Sequence, residues 1–425
     1  MFPDFQYLFQ SLFGLNIPAL SLIKTFGFFV ALAFLGGAWV LTKELKRKEE
    51  EGLLFPEIIE EEVGKPASQK ELISVGIIGF LLGYKVLGLI MNASEVANDP
   101  LSYLISLKGN LLGGIAVAAL MIYFRYSEKK KKATPKPSVQ KVKIHPYQRV
   151  ADIIFIAAIA GFGGAKFFNA FETWDDFIKD PIGNLLAPAG LTFYGGLITA
   201  TIALYIYTKK KKISFKHLAD AAAPALMLAY AIGRLGCQFS GDGDWGVYNS
   251  AFITQPDGQM TTATIEDFQK QIEKYPNYFK MFASANGQVP QIYTPAPNGL
   301  PVWLFAQNFQ HNVNNDGIPI EGYTGNYNHV LPAGVYPTSM YEAIICFLLF
   351  LTLMGIRRKY KLPLQIFGIY LILNGLERFF IEKIRVNYEY DWGFIHPSQA
   401  EIISFCLIIA GIFLFMKQKK KIVNP

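Results

Sequence analysis

HLADAAAPALMLAYAIGRLGCQFSGDGDWG, residues 217–246, decides what kind of protein this is. Residues 217–240 are long and apolar enough to cross the hydrocarbon core of a bilayer, which takes about 20 residues. Yet this stretch carries Arg234 and closes in glycines, an amide, a hydroxyl and two carboxylates: Gly233, Gly236, Gln238, Ser240, Asp242, Asp244 and Gly246. A charge at mid-membrane costs about 3 kcal/mol on insertion scales and is by default a functional-site hypothesis. The glycines allow close backbone approach or a tight exit from the helix. The plainer alternative is a snorkelling arginine above a polar turn.

Eight further segments share the apolar character of this one. Nine spans are expected in all, at 18–42, 72–92, 109–126, 150–171, 190–208, 217–240, 338–356, 363–382 and 398–416. The composition agrees, since 17 % of the 425 residues are charged and 52 % hydrophobic, against about 25 % charged in soluble domains. A disordered chain, a disulfide-built secreted domain and an ordinary cytosolic enzyme are excluded. The expected fold is an all-α polytopic membrane protein with a small extracytoplasmic head. Cys237, Cys346 and Cys406 are too scattered for a disulfide framework, and five His residues show no metal-ligand spacing. The start, Met-Phe-Pro-Asp, lacks the basic n-region of a cleavable signal.

Lys and Arg placement orients the spans. Basic clusters follow the first, third, fifth, seventh and ninth spans, the second of them Lys129–Lys132 in a loop with Pro135 and Pro137 that reads as a solvated connection. In a nine-span chain these clusters share one face. That face holds 27 of the 40 basic residues and the opposite face 7, so the N-terminus is expected outside and the C-terminus in the cytoplasm. The net charge of +7 therefore reports topology and headgroup contact, and no nucleic-acid partner is expected.

Four regions follow: 1–149, with a duplicated helix pair; 150–240, with the central spans; the outer loop 241–337; and 338–425. The outer loop is too long for a connector and reads as a folded head with modest strand content. The duplication rests on matching landmarks. Gly83-Tyr-Lys85, Asp99-Pro100, Gly113-Gly114 and a basic run recur as Gly164-Ala-Lys166, Asp180-Pro181, Gly195-Gly196 and a basic run.

A second charged span holds Asn374, Arg378, Glu382 and Arg385, whose spacings of 4, 4 and 3 put them on one helix face. An arginine fork matches a phosphate bidentately. A buried ion pair is the alternative reading. Tyr194-Gly195-Gly196 at the start of the fifth span and Tyr336 to Glu342, with Tyr341, entering the seventh complete the polar sites. All four lie towards the outer leaflet in the topology above.

These motifs resemble the prolipoprotein diacylglyceryl transferases over most of 150–416. That family's Gly-Arg-x-Gly-Asn-Phe-x-Asn-x-Glu signature is similar to Gly233, Arg234 and Gly236, with Asp242 in the Glu position and Gly246 closing the motif. Its His-Pro-Ser-Gln-Leu-Tyr-Glu segment resembles Tyr336 to Glu342, and its Arg-Phe-x-x-Glu-x-x-Arg helix matches Arg378-Phe379, Glu382 and Arg385. Its last-helix start resembles Ser398 to Ser404, and its Gly-Ala-Arg motif Gly164-Ala165-Lys166. Tyr194 stands in the place of the family's His, and Phe26 in the place of a Tyr.

The resemblance implies transfer of a diacylglyceryl group from phosphatidylglycerol to the lipobox cysteine of preprolipoproteins, at the outer face of the bacterial inner membrane, without cofactor or metal. Arg234, Arg378, Tyr194, Asp242 and Glu382 are then the catalytic candidates. Gly195, Gly196, Gly233, Gly236, Gln238, Ser240, Asp244, Gly246, Tyr341, Glu342, Asn374, Arg385 and Lys166 would bind substrate. An impaired relative that binds envelope lipoproteins and a transporter are the rival readings.

Overall fold

The computed structural model describes every residue except 93–95, 97–102, 104–105, 134–137, 188–189, 284–286, 387–389, 391–392, 394 and 420–425. Helices occupy all nine apolar segments: α2 (Thr25–Glu50), α3 (Gln69–Met91), α4 (Leu111–Lys132), α5 (Val150–Glu172), α6 (Phe193–Lys210), α7 (Phe215–Ser240), α9 (Thr338–Ile356), α10 (Gln365–Glu382) and α11 (Gln399–Lys419). The shorter α1 (Phe5–Phe13) precedes them, and α8 (Ile265–Lys274) lies in the outer loop. Among the described residues, seven of the nine are long and apolar enough to cross a membrane, all but α6 and α10. Those two have 18 residues each; α6 ends in Lys209 and Lys210, and α10 carries Glu377, Arg378 and Glu382. The chain is a mostly helical, polytopic membrane protein.

One boundary differs from the sequence reading. The first helix starts at Thr25 rather than near 18, and Pro18–Leu22 form a 3-10 turn. The backbone explains this. Phe5 N–H donates to Ile23 O at 3.0 Å and Thr25 N–H to Pro3 O at 3.1 Å, so residues 23–25 pair with the N-terminal segment. Those pairings compete with the helical ladder until Thr25.

The helices fall into two compact units. The first comprises Met1–Phe13, Ile23–Glu44 and Lys216–Pro425. In it α10 and α11 meet through glycines: a Cβ on Gly368 would lie 2.9 Å from Gly411 O, and one on Gly375 would lie 2.8 Å from Ser404 O. Small residues at such crossings let backbones approach where lipid offers no hydrophobic drive. The start of α10 is tied to α7, because buried Asp220 accepts from Leu364 N at 2.8 Å and Phe367 N at 2.9 Å. A carboxylate there satisfies helix N-terminal donors that have no intrahelical acceptor.

The loop 241–337 is a folded head in this same unit. Its central strand β3 (Tyr248–Thr254) pairs with β4 (Met260–Thr262), β5 (Gln291–Ile292) and β8 (Ala333–Val335); β6 (Ile318–Pro319) and β7 (His329–Val330) form a separate ribbon. Tyr248, Phe268, Phe279, Phe309 and Leu331 make its largest core. β3 begins just after Gly246 and β8 ends just before Tyr336, with Tyr248 opposite Val335. The head therefore ties the end of the Arg234 motif to the start of the Glu342 motif.

The second unit comprises Gly14–Leu22 and Leu45–Phe215. Its two helix pairs, α3 with α4 and α5 with α6, repeat the same contacts. Lys85 Nζ donates to Tyr103 O at 2.9 Å and to Ser106 O, and Lys166 Nζ donates to Asn184 O at 3.3 Å and Ala187 O at 2.6 Å. Both lysines thus reach carbonyls 18 and 21 residues on. Asn110 N–H bonds Tyr84 O at 2.8 Å as Thr192 N–H bonds Ala165 O at 3.2 Å. The Asp99-Pro100 landmark lies outside the described residues.

The flanks of α3–α4 also depart from expectation. The sequence marks only the loop after Lys129–Lys132 as a solvated connection, but β1 (Glu57–Val63) and β2 (Ser138–Ile144), on either side of the pair, form an antiparallel ribbon. Glu60 lies opposite Lys141, and opposite charges across a ladder favour that register. The partner strands lie far apart in the chain, so no local pattern announced them. Pro135 and Pro137 lie outside the described residues.

Candidate active site

Three motifs distant in sequence are drawn together by backbone. Gly246 N–H donates to Tyr336 O at 2.8 Å, Val247 N–H to Ile384 O at 2.8 Å, and Tyr336 N–H to Val247 O at 3.1 Å. Gly246 also forms a bridge with Arg385. A Cβ on Gly246 would lie 2.5 Å from Ile384 O and 3.0 Å from the Tyr336 Cβ. Glycine is needed here for space, not for an unusual φ.

Side chains complete the junction. Arg234, late in α7, pairs its Nη1 with Asp244 and its Nε with Glu342 Oε2 at 3.0 Å. Arg378, on α10, places Nη1 3.1 Å from Glu342 Oε1 and Nη2 3.2 Å from Glu382 Oε2. Arg385 pairs with Asp244 and stands 3.9 Å from Glu342 Oε2. Glu342, in the first turns of α9, is thus the hub for three guanidinium groups. Tyr230 adds a hydrogen bond, its hydroxyl 3.0 Å from Glu342 Oε1, and its ring centroid lies 5.3 Å from the Arg234 guanidinium carbon.

Exposure separates the partners. The Glu342 side chain is 0 % exposed and that of Glu382 2 %, whereas Arg234 keeps 16 % and Arg378 26 %. The carboxylates are thus buried, while both arginine side chains keep some exposed surface. Such preorganised donors stabilise charge developing on a bound oxyanion, because they need no reorientation during reaction. Arg385 retains buried Nε and Nη1 donors without a hydrogen bond among the described residues.

Behind Arg378 lies a support that couples α10 to α11. Ser398 Oγ donates to Glu382 Oε1 at 2.7 Å, Glu401 N–H donates to Ser398 Oγ at 3.2 Å, and Glu401 Oε2 accepts from Ser398 N–H at 3.0 Å. This Ser-x-x-Glu pair is a capping box, and it aims the serine at the carboxylate that holds Arg378. Ser398→Ala is expected to cost about 1 kcal/mol of stability through the lost cap. It is also expected to lower kcat about tenfold as Glu382 loosens, equivalent to about 1.4 kcal/mol. Recovery of kcat in Ser398→Thr, measured beside thermal denaturation, separates positioning from general destabilisation.

The head reaches the same junction. Gln238 Nε2 donates to Gln307 Oε1 at 2.6 Å, Ser339 Oγ lies 3.4 Å from Gln238 Oε1, and the Tyr341 hydroxyl donates to Leu304 O. Thr338 Oγ1 donates to Asp244 O at 3.0 Å.

The structure thus joins Arg234, Gln238, Asp244, Gly246, Tyr341, Glu342, Arg378, Glu382 and Arg385 in one network. Other candidates have different surroundings. A Cβ on Gly233 would meet nothing within 4 Å, whereas one on Gly236 would lie 2.9 Å from the Phe29 Cβ on α2. Ser240 is buried, with its hydroxyl on Cys237 O at 3.3 Å. Asp242 keeps a buried Oδ1 without a hydrogen bond among the described residues, and Asn374 is half-buried. Tyr194, Gly195, Gly196 and Lys166 belong to the second unit. There Tyr194 is 37 % exposed and Gly196 backs onto Gly161 O, with 2.8 Å available to a Cβ.

Sequence reasoning passed over Tyr230, Ser398 as a support for Glu382, and Glu377. Tyr230 sits four residues before Arg234, a same-face spacing that signals it. Glu377 is buried, its oxygens lack hydrogen-bond partners among the described residues, and it lies within electrostatic reach of Glu342 and the three arginines. No group of three metal-binding side chains occurs among the described residues.

Fold and site together define a multi-pass helical membrane protein built around an arginine–carboxylate junction. The family model for prolipoprotein diacylglyceryl transferase matches residues 110–417. The chain belongs to that family. It is 28 % identical over 278 residues to the phosphatidylglycerol–prolipoprotein diacylglyceryl transferase of Finegoldia magna, covering 65 % of this chain and 81 % of the relative. To the enzyme of the same name from Chlorobaculum tepidum it is 26 % identical over 276 residues, covering 62 % and 71 %. The corresponding figures for Leptospira interrogans are 24 % over 317 residues, 63 % and 78 %.

Proposed function

We propose that this chain transfers the diacylglyceryl group of phosphatidylglycerol to the lipobox cysteine thiol of preprolipoproteins, the first step of bacterial lipoprotein maturation. The partly exposed Arg234 and Arg378 side chains, held by buried Glu342 and Glu382, carry this reading. In the reaction the cysteine thiolate attacks the glyceryl carbon that bears the phosphate ester. A C–S bond forms, the C–O bond breaks, and its electron pair leaves on glycerol phosphate. Arg234 and Arg378 grip that phosphate and offset its growing charge. The thiol must lose its proton because the thiolate is the nucleophile. Asp242, whose buried Oδ1 has no hydrogen-bond partner among the described residues, is the carboxylate we assign to receive it. By its place in the family pattern Tyr194 is assigned a substrate-positioning role.

The reading extends to topology. Nine helices cross the inner membrane, with the N-terminus outside, the C-terminus cytoplasmic and the site facing out. The distribution of 27 basic residues on one face against 7 on the other supports this arrangement. The α3–α4 pair is a duplicate of α5–α6, supported by their shared lysine and backbone contacts. Substrates reach the site from the bilayer, where both are embedded, so proximity supplies part of the rate.

Incubating the purified protein with phosphatidylglycerol and a lipobox peptide, then weighing the product, tests the function. A thioether-linked diacylglyceryl peptide is expected, and its absence overturns the reading. In the same assay Tyr194→Phe is expected to lower kcat about tenfold or more, the weight of a positioned hydroxyl. An unchanged rate would remove that hydroxyl from the chemistry.

A further inference from the structure

Residues 281–315 of the head contain no Asp, Glu, Lys or Arg. All eleven charged residues of the 241–337 loop lie outside this run, in the sequence on either side. Within the run, 294–305 form a loop whose two ends are clamped by one buried side chain. Asn249 Nδ2 donates to Thr294 O at 2.8 Å and to Phe305 O at 3.1 Å, and Asn249 Oδ1 accepts from Thr294 N–H at 3.1 Å. Between these ends the loop turns at Gly299, with φ +88°, and closes in a 3-10 turn at Val302–Leu304. Compact loops with clamped ends are frequently functional.

This loop presents large apolar side chains outward. Trp303 is 50 % exposed and Leu300 51 %, with Val302 beside them and Ile292 and Tyr293 exposed just before the clamp. A head that packs Phe268 and Phe309 fully inside leaves these five out. Its depth is fixed by two tethers to span ends. The hydroxyl of Tyr341, in the first turns of α9, donates to Leu304 O, and Gln238, in the last turn of α7, donates to Gln307. Gln307 in turn donates through Nε2 to Trp303 O at 3.0 Å. The loop thus stands level with the outer ends of two spans. On those spans Phe239, Ile344 and Phe347 are exposed and apolar, as residues facing acyl chains are.

We infer that the 300–304 turn dips into the outer leaflet, so that the head is anchored to a lipid surface beside the arginine junction. A charge-free apolar tip held at the height of the span ends fits the interfacial zone, where Trp and Tyr are enriched because their rings are amphipathic. Insertion removes exposed apolar surface from water and burdens no charged group with desolvation. The alternative occupant, an extended peptide on the same surface, would leave Trp303 reachable from water in the peptide-free protein.

The experiment reads Trp303 directly and needs no turnover, so its outcome is separate from that of the transferase reading. The full chain is reconstituted into phosphatidylglycerol-containing vesicles. Tryptophan fluorescence is compared between wild type and Trp303→Phe, with the difference assigned to Trp303. The expected result is a Trp303 component quenched at least twofold by lipids brominated near the headgroup end of the acyl chain, and shielded from aqueous iodide. Quenching by iodide with no response to brominated lipid overturns the proposal and favours the peptide surface. Phe at 303 preserves the apolar ring, and equal thermal denaturation of the two proteins in vesicles shows that the comparison is between folded states.

Discussion

Arg378→Ala is expected to lower kcat/KM for transfer from phosphatidylglycerol by about 10²–10³, while the protein still inserts in the membrane. Loss of one preorganised donor to a developing oxyanion costs about that much. Arg378 is the more exposed of the two clamp arginines, and Glu342 retains Arg234 at 3.0 Å when Arg378 is gone. The hub therefore keeps a cation, and the loss falls on chemistry before folding. Arg234→Ala should match or exceed it, because Arg234 also holds Asp244. Arg378→Lys tests geometry: it restores the charge but not the fork that joins Glu342 and Glu382. Kinetics with a lipobox peptide, alongside membrane-fraction yields, check these expectations. Wild-type rates in both alanine variants would end the phosphate-clamp assignment.

Glu342→Ala has the larger structural effect. The side chain is fully buried and serves Arg234, Arg378 and the Tyr230 hydroxyl. Removing one partner of a buried pair leaves an uncompensated charge and costs about 3–5 kcal/mol. The expected result is a protein that denatures at markedly lower temperature and has no detectable transfer activity. Glu342→Gln keeps the shape and the Tyr230 hydrogen bond but not the charge, so it should retain more stability than Ala with activity still lost. Thermal unfolding in detergent with the product assay separates these effects. Stability equal to wild type in Glu342→Ala would remove Glu342 from the hub.

Different parts of this architecture were legible to different degrees. The nine helices could be read because hydrocarbon must be matched by uninterrupted apolar length, a property of contiguous residues. The Arg378–Glu382 pair could be read because helical spacing alone stacks those side chains, whereas Arg385, expected on the same face, lies past the end of α10 and is brought in by its bridge with Gly246. The β1–β2 ribbon escaped because its strands pair across the intervening α3–α4 pair. The start of the first helix escaped because residues 23–25 pair with backbone near the N-terminus. Tyr230 carried a readable same-face spacing. Glu377 carried only its charge, and Ser398 only its capping motif.

Local sequence determined the membrane class of this protein, the positions of its helices to within a few residues at most ends, and most of the arginines and carboxylates that meet at the junction. It did so because apolar length, helical period and charge in an apolar segment are local quantities. The tertiary structure decided which carboxylate binds which arginine. It made Glu342 the common partner, pressed Gly246 against the Ile384 carbonyl, and placed Ser398 behind Glu382. Each of those contacts joins residues from different helices or loops. Only packing at ångström distances selects among several chemically equivalent pairs.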